Sequence, residues 1–154
     1  MFDISSPEAL FRVIRRNANT LRGQTAKESD RLLFVIFGLN HLREWIAPGY
    51  SNRPLPRSPT NDNERFFESI WSCTSFQLIK ELCNHTKHLR PIGLERTGYG
   101  LNISDWPDIG SVESFAAGPP TSYEIDGKDV LEAVEEVIEF YKRRWFDRHR
   151  TQPV

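Results

Sequence analysis

The spacing of apolar and polar residues along the chain predicts four helices. Each begins with a capping-box pattern, in which a small polar residue precedes a glutamate by three positions, and each continues with apolar residues at helical spacing. The four patterns are Ser5-x-x-Glu8, Thr25-x-x-Glu28, Asn61-x-x-Glu64 and Asp129-x-x-Glu132. They predict helices at about 7–22, 27–47, 63–89 and 129–148.

The same periodicity predicts which side chains form the core. The second helix contains the nearly continuous apolar run LLFVIFGL at 32–39 and is expected to be covered on most sides. The other three helices each have one apolar face. These faces carry Phe11, Ile14, Ala18 and Leu21; Phe67, Trp71, Thr74, Leu78 and Leu82; and Val130, Val134, Val137, Tyr141 and Trp145.

Two segments between the helices have a different character. Residues 48–62 hold four of the ten prolines and predict a long surface connection. Residues 91–126 are rich in glycine and proline, and Tyr99, Leu101 and Ile103 alternate there, as do Tyr123 and Ile125. The predicted fold is therefore mainly α: a single domain, 1–154, built as a four-helix bundle with a short β-hairpin insertion at about 98–126 before the last helix.

Charge and composition exclude several classes of protein. The 154 residues carry 20 Lys and Arg against 21 Asp and Glu, so the net charge of −1 argues against a dedicated DNA-binding protein. The longest apolar run has eight residues, which predicts no membrane span, and the N-terminal segment does not resemble a secretory signal. Cys73 and Cys83 lie ~15 Å apart along one predicted helix, too far for a mutual disulfide. A reducing cytoplasm is the expected setting.

Two groups of polar residues are the candidates for chemistry, one near the end of the second helix and one near the end of the third. They consist of His41, Glu44 and Trp45, and of Asn84, Lys87 and His88. The groups meet if the two helices run side by side in the same direction, and lie at opposite ends of the bundle if the helices are antiparallel. The ordinary interpretation is that these residues cap helix ends and contact water.

The sharper interpretation is RNA cleavage. His88 would act as the acid or base, Lys87 or Arg90 would stabilise charge on a phosphate, and Asn84 would orient the substrate. The segment YKRRWFDRHR at 141–150 interleaves aromatic and basic residues and offers a nucleic-acid contact. Core packing of its aromatic rings, with the cations solvating the helix end, is the favoured interpretation of that segment.

A metal site is the third interpretation. Glu81, His85 and His88 follow one another at positions i, i+4 and i+7, and His41-x-x-Glu44 offers two more ligands. The paired Glu-x-x-His elements of di-metal bundles are absent from the sequence. This interpretation therefore ranks below RNA cleavage, and neither a metal nor another cofactor is expected.

The elements HLREW and ELCNHTKH resemble those of small, mostly uncharacterised bacterial and phage-associated helical proteins, which carry His-x-x-acid-Trp and Asn-x-x-Lys-His elements. The matching positions are His41, Glu44, Trp45, Asn84, Lys87 and His88, and the resemblance extends from about Leu32 to Trp145. More distantly, the arrangement is similar to the HEPN superfamily of helical bundles. Many of its members are metal-independent ribonucleases of toxin–antitoxin and phage-defence systems, and they act as dimers around an Arg-x(4–6)-His motif.

The resemblance implies a homodimer, an RNA substrate and a catalytic His88. The sequence departs from the motif, because no arginine lies between Phe66 and Lys87, and Lys80 precedes the histidine at a longer spacing. The leading prediction is a structural or interaction module from a bacterial or mobile-element setting. The alternative is a HEPN-like metal-independent ribonuclease or toxin, so whether the protein is an enzyme stays open.

Overall fold

The part of the chain that the structure describes is mainly helical. The structure is a computed structural model that describes residues 4–88, 94–98, 101–103 and 122–149, with side chains for 4–86 and 122–149. Its helices are α1 (Pro7–Gly23), α2 (Ser29–Ile46), α3 (Asp62–Ser69), α4 (Thr74–His88) and α5 (Val130–Tyr141). A helical fold with a small antiparallel β element before the last helix is thereby confirmed.

Two of the four predicted caps are confirmed. The Asn61 side chain accepts a hydrogen bond from the backbone N–H of Glu64 at 2.9 Å, and Asp129 accepts one from the N–H of Leu131 at 2.6 Å. The cap of α1 is Ser6, so the prediction of Ser5 was wrong by one residue. Each cap satisfies an amide that has no partner inside its helix, which fixes where the helix begins.

The predicted cap of α2 at Thr25 is wrong. The helix begins at Ser29, after Glu28, whose side chain makes no capping hydrogen bond. The Glu28 carboxylate instead accepts hydrogen bonds from Gln24 at 2.6 Å and from Arg31 at 2.7 Å. These contacts lower the pKa of Glu28, the hydrogen bond from Arg31 most of all.

The third predicted helix is two helices. A short 3₁₀ turn, Ile70–Ser72, follows α3, and Cys73 is extended before α4 begins. The hydroxyl of Ser69 donates to the carbonyl of Phe66, and that of Ser72 donates to the carbonyl of Ser69. Such local hydrogen bonds compete with the helical ones and favour a break.

The break changes which residues are buried, so the predicted stripe of the third helix was partly wrong. Thr74 is exposed, and Trp71 and Leu78 are only half-buried. The buried apolar residues of this region, apart from the predicted Phe67 and Leu82, are Phe66, Ile70, Phe76, Ile79 and Cys83.

The β element is wider than a hairpin. Its antiparallel strands β1 (Leu94–Gly98), β2 (Leu101–Ile103), β3 (Ser122–Ile125) and β4 (Lys128–Asp129) lie in the order β2-β1-β3-β4. The alternation of Leu101 with Ile103 and of Tyr123 with Ile125 correctly predicted strands at β2 and β3, but both strands pair with β1. The sequence of β1, LERTG, lacks alternating apolar residues, so periodicity missed it. Tyr99 and residues 104–121 lie outside the described part.

The core faces of the first and last helices are confirmed. Every predicted core residue of both helices is buried, and the hydroxyl of Tyr141 donates to the carbonyl of Leu39 at 2.8 Å. Regular α-helix ends at Tyr141, earlier than predicted, and a π-helical turn, Lys142–Phe146, continues it. Among the described residues, no helix is both long and apolar enough to cross a membrane.

Helices α1 and α2 pack closely where α2 carries Gly38. A Cβ atom built on Gly38 would lie 2.8 Å from Cγ1 of Ile14 and 2.9 Å from its Cδ1. Both distances are far inside van der Waals contact, and Ile14 is fully buried, so its side chain has little freedom to move away. Glycine at this position therefore sets how near α1 lies to α2.

We expect Gly38→Ala to lower the free energy of unfolding by about 1 kcal/mol. Overpacking against Ile14 costs about 1–3 kcal/mol, whereas the gain in helix propensity is about 1 kcal/mol. Urea unfolding measures the effect. The matched control is Gly23→Ala at the end of α1, where a Cβ meets nothing within 4 Å and the change should be neutral or stabilising. An Ile14→Ala background should relieve the cost, and equal destabilisation in both backgrounds would contradict the packing argument.

Candidate functional site

The most unusual side chain in the described part is a buried arginine in the last turn of α2. Arg43 is only 6% exposed. Its guanidinium carbon lies 4.5 Å from the ring centroid of Phe67, 4.9 Å from that of Trp71 and 5.1 Å from that of Phe76. We call these four residues the Arg43 cluster. It joins the end of α2 to α3, to the 3₁₀ turn and to the start of α4.

The Arg43 cation is stabilised mainly by the faces of these rings. Within the described part of the chain, Arg43 forms only a long ion pair, in which its Nε lies 3.9 Å from Oε1 of Glu44. Both Nε and Nη1 are buried without a hydrogen-bond partner among the described residues. Burial lowers the pKa of Arg43, and the nearby Glu44 carboxylate opposes that shift. A desolvated cation against ring faces gains about 2 kcal/mol, which offsets part of the cost of burial.

A second cation, Lys80 on α4, contacts the same tryptophan. Its Nζ lies 4.4 Å from the centroid of Trp71. The pKa of Lys80 is lowered, first by burial and then by the positive charge of Arg43, while Glu44 acts in the opposite direction. Two cations therefore contact the ring of Trp71 where α2 meets α4, and the Glu44 carboxylate lies beside one of them, Arg43.

The proline-rich connection is tied to this end of the bundle. Ser51 donates to Oε2 of Glu44 at 2.5 Å. Arg57 donates to the carbonyl of Ser51 at 2.9 Å and pairs with Glu68 at 3.1 Å, and its guanidinium lies over the ring of Tyr50. Burial, with Glu68 nearby, raises the pKa of Tyr50. The predicted long connection is thus a surface segment held by several specific contacts.

A buried carboxylate on α3 also holds the proline-rich connection in place. Glu64 is 5% exposed and accepts hydrogen bonds from the backbone N–H and the hydroxyl of Thr60, at 2.6 and 2.7 Å. It also pairs with Arg53 at 2.5 Å. The two bonds from Thr60, with a smaller contribution from Arg53, lower the pKa of Glu64 to about 2. Glu64 therefore stays ionised and anchors the segment to α3.

The predicted residues of α2 differ in how far the structure buries them. His41 is exposed, and it lies two residues, about 200° of helical rotation, from the inward-facing Arg43. Trp45 is 42% exposed. Glu44 is half-buried between Arg43 and Ser51. Among these three, only Glu44 lies beside the Arg43 cluster.

The predicted residues of α4 lie beyond the Arg43 cluster. Because Arg43 in the last turn of α2 contacts Phe76 in the first turn of α4, the two helices do not run side by side in the same direction. Asn84 is half-buried eight residues after Phe76, which is ~12 Å along the helix. Lys87 and His88 are the last residues of α4, and their side chains lie outside the described part. His41 therefore does not face Asn84.

The metal interpretation receives no support from the side chains that are described. Within those side chains, no group of three or more His, Cys, Asp or Glu is placed to hold a metal ion. Glu81 is exposed on α4, whereas His85 is buried. The third proposed ligand, His88, falls outside the described side chains, so that particular set stays a prediction.

The sequence patterns did not predict that Arg43, Trp71 and Lys80 lie together. A signal for Arg43 was present: it lies four residues after Leu39 and three before Ile46, on the buried face of α2. Trp71 and Lys80 gave no such signal, because their approach to Arg43 depends on the break between α3 and α4.

We expect Arg43→Ala to lower the free energy of unfolding by about 2–5 kcal/mol, because it truncates a buried side chain packed on three rings. Arg43→Met keeps most of the side-chain volume and removes a buried charge that has few hydrogen-bond partners. It should therefore lower the free energy of unfolding by less than about 1.5 kcal/mol. Urea unfolding measures both variants, with Arg12→Met on the exposed face of α1 as the control. If Arg43→Met were as damaging as Arg43→Ala, the charge and not the packing would be the essential contribution.

Comparison with protein-family models, curated proteins and solved structures found no match to this chain. The resemblance to HEPN-like bundles therefore stays a prediction. What the chain does has to be inferred from its own residues and their contacts.

Proposed function

We propose that the protein is a non-catalytic interaction module that self-associates through the outer face of α2. The observation that carries this proposal is the exposure of two large aromatic side chains on that face. Phe34 is 39% exposed and Trp45 is 42% exposed. His41 lies between them at helical spacings of seven and four residues, also exposed. We call these three residues the α2 stripe.

Single exposed apolar residues are ordinary on protein surfaces, so the grouping is what matters. Among the described residues, the exposed large hydrophobics are Phe34, Trp45 and Leu55. Leu55 lies alone in the proline-rich connection, whereas the other two share one helix face. They are eleven residues apart, which is ~16 Å along α2.

A second copy of the chain fits this pattern. If two copies pack their α2 helices antiparallel about a two-fold axis, Phe34 of each copy lies opposite Trp45 of the other. Such an interface is self-complementary, as a closed dimer requires. Antiparallel helix dipoles also attract one another. Phe34 is 39% and Trp45 is 42% exposed, so each ring still has apolar surface to bury, and large aromatic side chains are suitable anchors.

A scaffolding role also agrees with the environment of the polar residues. His41 lies on the outer face with the exposed rings, and Arg43 lies inside among buried rings. The sequence contains two cysteines, too few for the disulfide framework of small secreted domains, which agrees with the proposed cytoplasmic setting.

We expect the purified protein to be a dimer in sedimentation velocity across a wide range of concentration. Phe34→Ser with Trp45→Ser should raise the dimer dissociation constant at least about tenfold, because both anchors of the α2 stripe are lost. Leu55→Ser is the matched control, since it removes an exposed apolar side chain away from α2. A wild-type protein that stays monomeric at every concentration would refute the proposal, as would a dimer that the double variant leaves intact.

A HEPN-like ribonuclease is the second candidate, and one observation favours it. Lys80 has a lowered pKa and lies near Arg43 and Glu44, on the helix that also carries Asn84 and ends at His88. A cation two turns before the histidine offers a substitute for the arginine of the family motif. In this proposal His88 moves the proton, and Lys80 stabilises charge on the phosphate.

This alternative predicts that expression arrests growth and that the purified protein cleaves RNA. His88→Ala should abolish both effects, and Lys80→Met should slow cleavage by at least about tenfold, since one charge-stabilising group is typically worth that much or more. Arg12→Ala, which removes a cation from the exposed face of α1, is the control. An absence of cleavage, or cleavage that survives His88→Ala, would exclude this function.

A further inference from the structure

A groove with a basic rim lies between α3 and the segment that ends the last helix. Its volume is about 520 Å³, within the range of small-molecule sites of roughly 300–1,000 Å³. Arg65 contributes from α3, and Arg144, Arg148 and His149 contribute from the π-helical turn and the residues that follow it. All four are exposed. We call this feature the C-terminal groove.

The floor of the C-terminal groove is aromatic and rigid. Phe66 and Trp145 are buried, with ring centroids 5.4 Å apart, and the half-buried Phe140 lies 6.1 Å from Phe66. The guanidinium of Arg144 lies 5.9 Å from the centroid of Phe140. Because the floor is part of the core, the rim is presented from a fixed base.

The rim has a surplus of positive charge in a molecule whose net charge is −1. The ionised lining residues are three arginines and one aspartate, Asp62, which leaves a formal surplus of +2. Arg65 pairs with Asp62 at 2.6 Å. Arg144 and Arg148 form no ion pair with any described residue. Two guanidinium groups are therefore open to an anion, and guanidinium is the side chain best suited to hold phosphate through paired hydrogen bonds.

His149 adds a flat platform beside these arginines. Its ring lies on the ring of Trp145, with centroids 3.7 Å apart and planes inclined by 24°. Nδ1 lies 2.9 Å from the carbonyl oxygen of Trp145, which fixes the orientation of the imidazole. The residue is exposed, so the ring extends the buried tryptophan toward solvent as a stacked pair. Aromatic and imidazole faces of this kind stack on nucleobases.

From this combination we infer that the C-terminal groove binds a nucleotide. The phosphate lies between Arg144 and Arg148, and the base stacks on His149. A phosphate bound to the arginines alone leaves the platform unused, and an apolar ligand leaves two cations without a partner. A nucleotide, free or within a single strand, uses both. The groove is separate from α2, so this inference stands independently of the proposed self-association.

Binding of a fluorescein-labelled oligouridylate, followed by anisotropy, tests the inference, with four unlabelled competitors. These are unlabelled oligouridylate, adenosine monophosphate, ribose 5-phosphate and inorganic phosphate. We expect the first two to compete and the last two to be at least about tenfold weaker, since they lack a base to stack. If adenosine monophosphate competes as well as the unlabelled oligouridylate, the ligand is a free nucleotide. If the oligouridylate competes much more strongly, the ligand is a single strand. Both outcomes support the inference. Equal competition by ribose 5-phosphate would overturn it.

Two variants locate the site. Arg144→Gln with Arg148→Gln should weaken binding at least about tenfold, and His149→Ala should weaken it about five- to hundredfold through lost stacking. The matched control is Arg12→Gln with Arg16→Gln, which removes the same charge from the exposed face of α1. All of these side chains are exposed, so the variants should stay folded, with at most a small fall in melting temperature from the lost charges at the helix end. Equal loss in the control would show non-specific attraction and overturn the assignment, as would an absence of binding by the wild type.

Discussion

A guanidinium held between aromatic rings fixes how the middle of this chain folds. Phe67 comes from α3, Trp71 from the 3₁₀ turn and Phe76 from α4, yet all three lie within 5.1 Å of the Arg43 guanidinium carbon. In one continuous helix, Phe76 would lie about 180° round the axis from Phe67. The break at Ile70–Cys73 brings it back to the same cation. The contact of all three rings with Arg43 therefore depends on the interruption of the helix.

This dependence explains why the sequence predicted so much of the fold and missed the break. Caps and apolar faces are local properties, and Asn61, Asp129 and the buried face of α1 followed from them. The break combines short-range serine hydrogen bonds with a contact between residues 33 positions apart, Arg43 and Phe76. Helical periodicity contains no information about such a contact. Strand β1 was missed for a similar reason, because its pairing with β2 and β3, and not its own pattern, defines it.

The candidate residues of α2 illustrate the same limit. That His41, Glu44 and Trp45 share one side of a helix followed from their spacing. The spacing did not show which side of α2 faces inward. The run LLFVIFGL is apolar around most of the helix, and Phe34 is as apolar as Val35. In the structure Val35 is fully buried, whereas Phe34 is 39% exposed. An arginine on the inner face and a histidine on the outer one reverse what composition alone would favour.

The C-terminal groove is positive although its position in the fold opposes anion binding. The carbonyl groups at the end of the last helix carry the equivalent of about half a negative charge, which attracts cations and repels phosphate. That attraction explains why basic residues follow Tyr141. It does not neutralise them, because the lining residues carry a surplus of +2, several times the opposing partial charge. Arg144 and Arg148 form no ion pair within the described chain, so their charge remains available. The same residues that stabilise the helix end thus supply the positive field for an anionic ligand.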